Sequence, residues 1–205
     1  MKTIALTIAL VSVATAHAQL ITLDPDNYPD GTVLNTVIPS VSLITAGANN
    51  IAIPFNVTAR IETAFPYQPP TGSSVFAHVG IPFWNDGRRL RMDFNGLVSS
   101  ISIDFMGSTS LATEQGRLEV YGSSGQLLAQ YNTQPLFGGQ IEAMAIQRSQ
   151  PDMAWAVAYT LPGQSVFGHL DHLVFSQPVA VPEPGTVAIL SLAAAGLLLR
   201  LRRQR

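Results

Sequence analysis

Between residues 19 and 181 no stretch holds a 3.6-residue apolar period, while short runs of period two recur, separated by Gly, Pro, Asn and Ser. A helix needs a sustained apolar stripe to bury. Alternation instead sets one face of a strand against a core and leaves the other in water, so the middle of this chain is restricted to an all-β fold. In Ser100-Ile101-Ser102-Ile103-Asp104-Phe105 the apolar side chains fall on one face. From Met153 to Leu161, Met153, Trp155, Val157, Tyr159 and Leu161 alternate with Ala154, Ala156, Ala158 and Thr160, which predicts a central strand with a heavy face and a light one, packed on both sides or nearly so, with Trp155 on the heavy face of a core strand.

Leu118 to Tyr121, then Gly122-Ser123-Ser124-Gly125, then Leu127 to Tyr131 reads as a hairpin with a short glycine-rich loop. Further strands are predicted at Leu20–Leu23, Val41–Ile44, Ile51–Phe55, Arg89–Phe94, Ile141–Ile146 and Leu170–Phe175. About nine or ten strands in a domain of this length fit an antiparallel two-sheet sandwich, here predicted to be a jelly roll. The loop Phe65-Pro66-Tyr67-Gln68-Pro69-Pro70-Thr71-Gly72 is too rich in proline for a sheet interior and is placed at the surface.

Composition narrows the chemistry. With no cysteine, a disulfide scaffold, a thiolate zinc site and a cysteine nucleophile are all excluded. Residues 19–181 carry 12 acidic and 6 basic side chains, every basic one an arginine, for a net charge of −6. Such a surface has no cationic footprint with which to displace counterions from a phosphate backbone, so nucleic acid is not an expected partner.

The two ends read as addresses. Lys2, the apolar run Ile4 to Ala14 and the small-x-small triplet Ala16-His17-Ala18 form a signal peptide over residues 1–18, leaving a sandwich domain at 19–178. At the other end, Val181, Pro182, Glu183, Pro184 and Gly185 precede a 13-residue uncharged run, Val187 to Leu199, and then the basic end Arg200, Arg202, Arg203 and Arg205. At 1.5 Å per residue that run reaches roughly 20 Å, a minimal transmembrane helix against a hydrocarbon core of about 30 Å. Arginine snorkelling extends it, and the positive-inside rule keeps the C-terminus cytoplasmic with the sandwich on the far side.

Prolines, short span and arginine cluster over residues 179–205, paired with a signal peptide, resemble the PEP-CTERM sorting signal of exported Gram-negative bacterial proteins. The resemblance implies recognition by a membrane-embedded exosortase, processing near Pro182-Glu183-Pro184, a membrane anchor before processing, and delivery to the cell surface or extracellular polysaccharide matrix. A second resemblance spans Asp30-Gly31-Thr32, Val98 to Phe105, Gly116 to Tyr121 and Leu170 to Phe175, which look like the recurring segments of jelly-roll modules found upstream of such tails.

Catalytic patterns are thin. Gly163-Gln164-Ser165-Val166-Phe167-Gly168 is one residue too long for a nucleophile elbow, and His169, Asp171 and His172 cannot converge on a regular strand without a bulge. Glu119 and Glu142 are the candidate carboxylate pair for a glycosidase, but nothing in the sequence fixes their separation. Asp24, Asp26 and Asp30, joined by Asp171 if the first and last strands are neighbours, are candidates for a structural calcium ion. Trp84 with Asn85, Asp86 and Arg88, and Tyr67 on the proline loop, form a candidate sugar-binding platform of aromatic faces beside polar groups. The sequence therefore reads as an exported, non-enzymatic binding or structural module, with a carbohydrate-binding module for exopolysaccharide as one alternative and a secreted hydrolase as another.

Overall fold

The computed structural model describes residues 18–62, 69–108, 114–162 and 168–178. The signal peptide up to residue 17, Tyr67, Ser165 and the whole tail from residue 179 lie outside the described residues. Residues Gln19–Pro178 form one compact unit.

Eleven strands are present among the described residues: β1 (Ala18–Leu23), β2 (Val41–Ala46), β3 (Val57–Ile61), β4 (Ser74–His78), β5 (Arg89–Val98), β6 (Ser100–Met106), β7 (Gly116–Tyr121), β8 (Leu127–Asn132), β9 (Ile141–Gln147), β10 (Met153–Thr160) and β11 (His169–Pro178). They form a four-stranded sheet in the order β1-β11-β6-β9, a five-stranded sheet in the order β2-β5-β10-β7-β8, and a separate β3-β4 pair. Outward from the β7–β8 hairpin the pairing is nested: β7 with β8, β6 with β9, β5 with β10, and β1 with β11.

Alternation selects the inward faces. Ile101, Ile103 and Phe105 of β6, Met144 and Ile146 of β9, and Leu170, Leu173 and Phe175 of β11 meet Leu43 of β2, Leu90 and Met92 of β5, and Leu118 and Val120 of β7 in one apolar cluster. Phe94 and Phe175 touch across the sheets with ring centroids 5.1 Å apart. Each fully buried side chain of this size contributes about 1.5–3 kcal/mol of transfer free energy.

Three expectations change. β10 is packed on both sides over most of its length, as expected, but the face in the main core is the light one: Ala156 and Ala158 join the core cluster, and Trp155, Val157 and Tyr159 lie on the opposite face, with Trp155 only half-buried. Large side chains from neighbouring strands, among them Leu90, Met92 and Leu118, share the same cluster with these alanines. Ile51–Phe55 is not a strand, its pairing being the single bridge Ala46 to Ala52. The hairpin β3–β4 was not predicted, because Ser74–His78 is buried on both faces and shows no alternation.

In β11 the register shifts between Asp171 and Val174, and His172 takes a left-handed φ of 47°. This bulge turns both Leu170 and Leu173 into the core, which strict alternation forbids. On the outer face it sets Asp171 across from Asp104 of β6.

Candidate functional site

The Trp84 platform is corrected by the structure. Trp84 has no exposed surface; its indole N–H donates to Phe76 O at 2.8 Å, and its ring meets the His78 ring edge-on at 5.0 Å. Its backbone also ties neighbours together, the N–H donating to Gly168 O and the carbonyl accepting from Thr160 N. No ring face remains for a sugar. The polar residues beside it are consumed by their own turn. Asn85 Oδ1 accepts from Gly87 N and Arg88 N, Asp86 pairs with Arg89, and the Arg88 guanidinium sits 5.0 Å from the Phe55 ring centroid.

The four acidic candidates serve separate donors. Asp24 Oδ1 accepts from Asp26 N at the 3-10 turn Pro25–Asn27; Asp26 Oδ1 accepts from Ser73 N and Ser74 N; Asp30 pairs with Arg60 and accepts from Ile61 N. Asp171 accepts from the Thr71 backbone and hydroxyl and from His172 N. The first and last strands, β1 and β11, are neighbours, the condition under which Asp171 is expected to approach the acidic turn. Burial is the main cause that pushes the Asp171 carboxyl up to about 7, with the charge of Asp24 adding to it. Among the described residues, no group of three or more His, Cys, Asp or Glu side chains is arranged to hold a metal ion.

The hydrolase candidates are also spread apart. Glu119 lies on β7 in one sheet and Glu142 on β9 in the other. Glu142 accepts from the Tyr131 hydroxyl at 2.7 Å and from Gln134 N. His169 is buried, which pushes its pKa down to about 4, and its Nε2 lies 3.9 Å from Glu62. His172 Nδ1 lies 3.4 Å from Asp104, a residue that sequence reasoning did not single out. The bulge thus brings His172 toward a carboxylate of β6.

Sequence reasoning missed the densest polar and aromatic constellation, which covers the outer face of the five-stranded sheet. Strands β5, β10 and β7 lie side by side, with Trp155 registered between Asp93 and Tyr121. The Trp155 and Tyr121 rings stack at 3.8 Å with an interplanar angle of 4°, and the Arg91 guanidinium lies 4.4 Å from the Trp155 centroid. One turn of alternation away, the Arg89 guanidinium lies 4.1 Å from the Tyr159 ring. Glu119 joins the two rows, accepting from Tyr121 OH at 2.6 Å and from Tyr159 OH at 3.0 Å. Burial, reinforced by Glu119, pushes the Tyr121 hydroxyl up to about 12, so it remains a donor.

Asn50 closes this network from the loop after β2. Its Nδ2 donates to Tyr121 OH at 3.2 Å, its Oδ1 accepts from Arg89 at 2.8 Å, and its carbonyl accepts from Arg91 at 2.8 Å. It adopts φ 62°, a conformation that asparagine tolerates better than most residues. The only sequence signal for it was the turn composition Gly47-Ala48-Asn49-Asn50.

At the C-terminus the deciding feature is the order of three sectors: Pro182-Glu183-Pro184, the uncharged run Val187 to Leu199, and the closing arginines. Residues 180–203 match the PEP-CTERM protein-sorting motif. The PEP-CTERM match ends two residues before the last residue, Arg205, and begins two residues after the end of β11. No curated protein matches the sequence. Among solved structures, the unit is similar to the K2 cleaved adhesin domain of Lys-gingipain, with a TM-score of 0.50 and 10% identity over 78% of this chain and 100% of that one. It is also similar to the C-terminal family 22 carbohydrate binding module of Clostridium thermocellum Xyn10B, with a TM-score of 0.42 and 14% identity over 74% of this chain and 92% of that one. At such identities the likeness concerns the fold.

Proposed function

We propose that this is an exported protein whose PEP-CTERM tail is read by an exosortase-type membrane enzyme, and whose sandwich acts at the cell surface or in the extracellular matrix as a non-enzymatic binding or structural module. The observation that carries this reading is the sorting motif at 180–203. In this reading residues 1–18 are removed as a signal peptide, Val187 to Leu199 holds the membrane until processing, and the arginines pin the cytoplasmic end. The nested pairing β7–β8, β6–β9, β5–β10 and β1–β11 supports a jelly roll as the architecture of the module.

The test replaces Pro182, Glu183 and Pro184 with alanine and follows product size and location by fractionation. The reading expects a longer product that stays in the membrane. Unchanged size and location would leave the tail a simple anchor.

A further inference from the structure

The chain has eight asparagines, and only Asn95 is followed by glycine. The next side chain ordinarily shields an asparagine amide from the backbone nitrogen that follows it; glycine has none. In a paired strand both residues would be locked in a ladder. Here they are not. β5 matches β2 only as far as Phe94, and its register against β10 passes from Asp93, opposite Trp155, to Val98, opposite Met153. The segment Phe94 to Leu97 thus stands against the single residue Ala154, and Asn95, Gly96 and Leu97 bulge outward, all three exposed. Gly96 takes φ 111°, a value that side chains rarely adopt.

The bulge is tied at its backbone and loose at its side chain. Asn95 N donates to Ser40 O at 2.9 Å, and Gln177 Nε2 donates to Asn95 O at 2.6 Å. The Asn95 amide is held by a 3.5 Å contact from Nδ2 to Pro39 O, longer than an ordinary hydrogen bond. Its Cγ can therefore turn toward the Gly96 nitrogen with no Cβ in the way. The Gln177 contact acts on the nitrogen. Deprotonating an amide places charge on the carbonyl oxygen of the same peptide, so a donor at Asn95 O favours the deprotonated Gly96 nitrogen.

We infer that Asn95–Gly96 is a self-modifying site, at which the folded chain deamidates through a cyclic imide with Gln177 assisting. The Gly96 nitrogen, having given its proton to solvent base, attacks Asn95 Cγ. The N–Cγ bond forms, the Cγ–Nδ2 bond breaks, and Nδ2 leaves as ammonia with a proton from water. Water then opens the imide: attack at Cγ gives aspartate, and attack at the backbone carbonyl gives isoaspartate, whose main chain is longer by one methylene. Either product adds one negative charge, taking residues 19–181 from −6 to −7. It also sets a carboxylate oxygen toward Pro39 O, where the amide had donated, and so loosens the bulge that joins the approach to β2 with the end of β11.

The test incubates the full chain, folded in detergent, in mildly alkaline buffer made with heavy-oxygen water, and then cleaves it at arginine in ordinary water, so that only conversion during the incubation carries the label. The peptide Met92–Arg117 contains Asn95 as its sole asparagine. The expected result is an acidic shift on isoelectric focusing and two labelled forms of this peptide, with aspartate or isoaspartate at position 95, formed about tenfold or more faster than the products of Asn85 or Asn132. Asn95→Gln, whose longer side chain closes the ring poorly, should abolish both forms. Gln177→Leu should slow conversion about threefold or more. A purely structural clamp predicts the opposite sign, since its loss would loosen the bulge and speed conversion. Circular dichroism confirms that each variant is folded, and the chain unfolded in denaturant gives the rate without the fold. A folded chain whose Asn95 stays intact, whether or not the unfolded chain converts, overturns the site. Faster conversion in Gln177→Leu overturns the assistance and leaves Gln177 a clamp.

Discussion

The two tryptophans of this chain make opposite predictions. Trp84 is wholly enclosed, and replacing it with alanine removes its transfer free energy and leaves a cavity, which for buried aromatics costs about 3–5 kcal/mol. The Phe76 carbonyl also loses the indole donor, so the upper half of that range applies, about 4–5 kcal/mol. Trp155 is half-buried on the outer face. Its replacement forfeits a ring stack worth about 0.5–1.5 kcal/mol and a cation–π contact worth about 0.5–1 kcal/mol, together about 1–2.5 kcal/mol. For a domain of this size each kcal/mol moves the melting midpoint by about 2–4 °C, so Trp84→Ala should melt roughly 8–20 °C below the parent and Trp155→Ala only about 2–10 °C below. Differential scanning of the full chain in detergent measures both. A second readout uses Trp155→Phe, in which Trp84 is the sole indole: its emission should be blue-shifted and unquenched by iodide. Equal destabilisation by the two alanine variants, or ready quenching of Trp84, would refute the assignment of Trp84 to the core and Trp155 to the outer face.

Further predictions concern pH and the loop that carries Thr71. Asp171, raised to about 7, keeps its proton in the fold after the unfolded chain has lost it, so its stabilisation is full below pH 3.8 and disappears as pH rises through 7. His169, lowered to about 4, acts in the opposite sense: its stabilisation is present above pH 6.5 and disappears as pH falls through 4. Asp171→Asn removes one of these opposed slopes, so its stability between pH 4.5 and 6.5 should rise with pH relative to the parent, by up to about 1.4 kcal/mol per pH unit; parallel melting curves of parent and variant across that window would contradict this. Gly72 has φ 44°, and a Cβ there would collide with the Asp26 carboxylate that holds Ser73 N and Ser74 N. Gly72→Ala should therefore destabilise by about 1–3 kcal/mol in thermal melting, and a neutral result would show that this loop is free to move away from Asp26.

Strand existence was largely legible, because alternation over Ser100–Phe105 and Met153–Leu161 follows directly from the pleat. Which side of β10 turns inward was not. That choice depends on what the neighbouring strands and the facing sheet present to each side of β10, with Leu90, Met92, Leu118 and Phe105 in the cluster that holds Ala156 and Ala158. Ser74–His78 escaped notice for a related reason: a strand buried on both faces has no period to read. The Trp84 loop misled because Asn85, Asp86 and Arg88 look like groups left for a ligand, yet a tight turn consumes them before any ligand arrives. Asn50 illustrates the remaining gap. Its hydrogen bonds reach Tyr121, Arg89 and Arg91, up to 71 residues away in sequence, and no local pattern reports such contacts. The C-terminal motif needed no tertiary information, since its three sectors are contiguous in the chain.

The central claim is that the tail directs this module out of the cell and is processed there. Intact-mass spectrometry of the protein recovered from the surface or medium of cells making the full-length chain measures this directly. The account predicts a product that begins near Gln19 and ends near Pro182-Glu183-Pro184, without the arginines from Arg200 onward. A product of full length, with Lys2 and Arg205 both present, would contradict it.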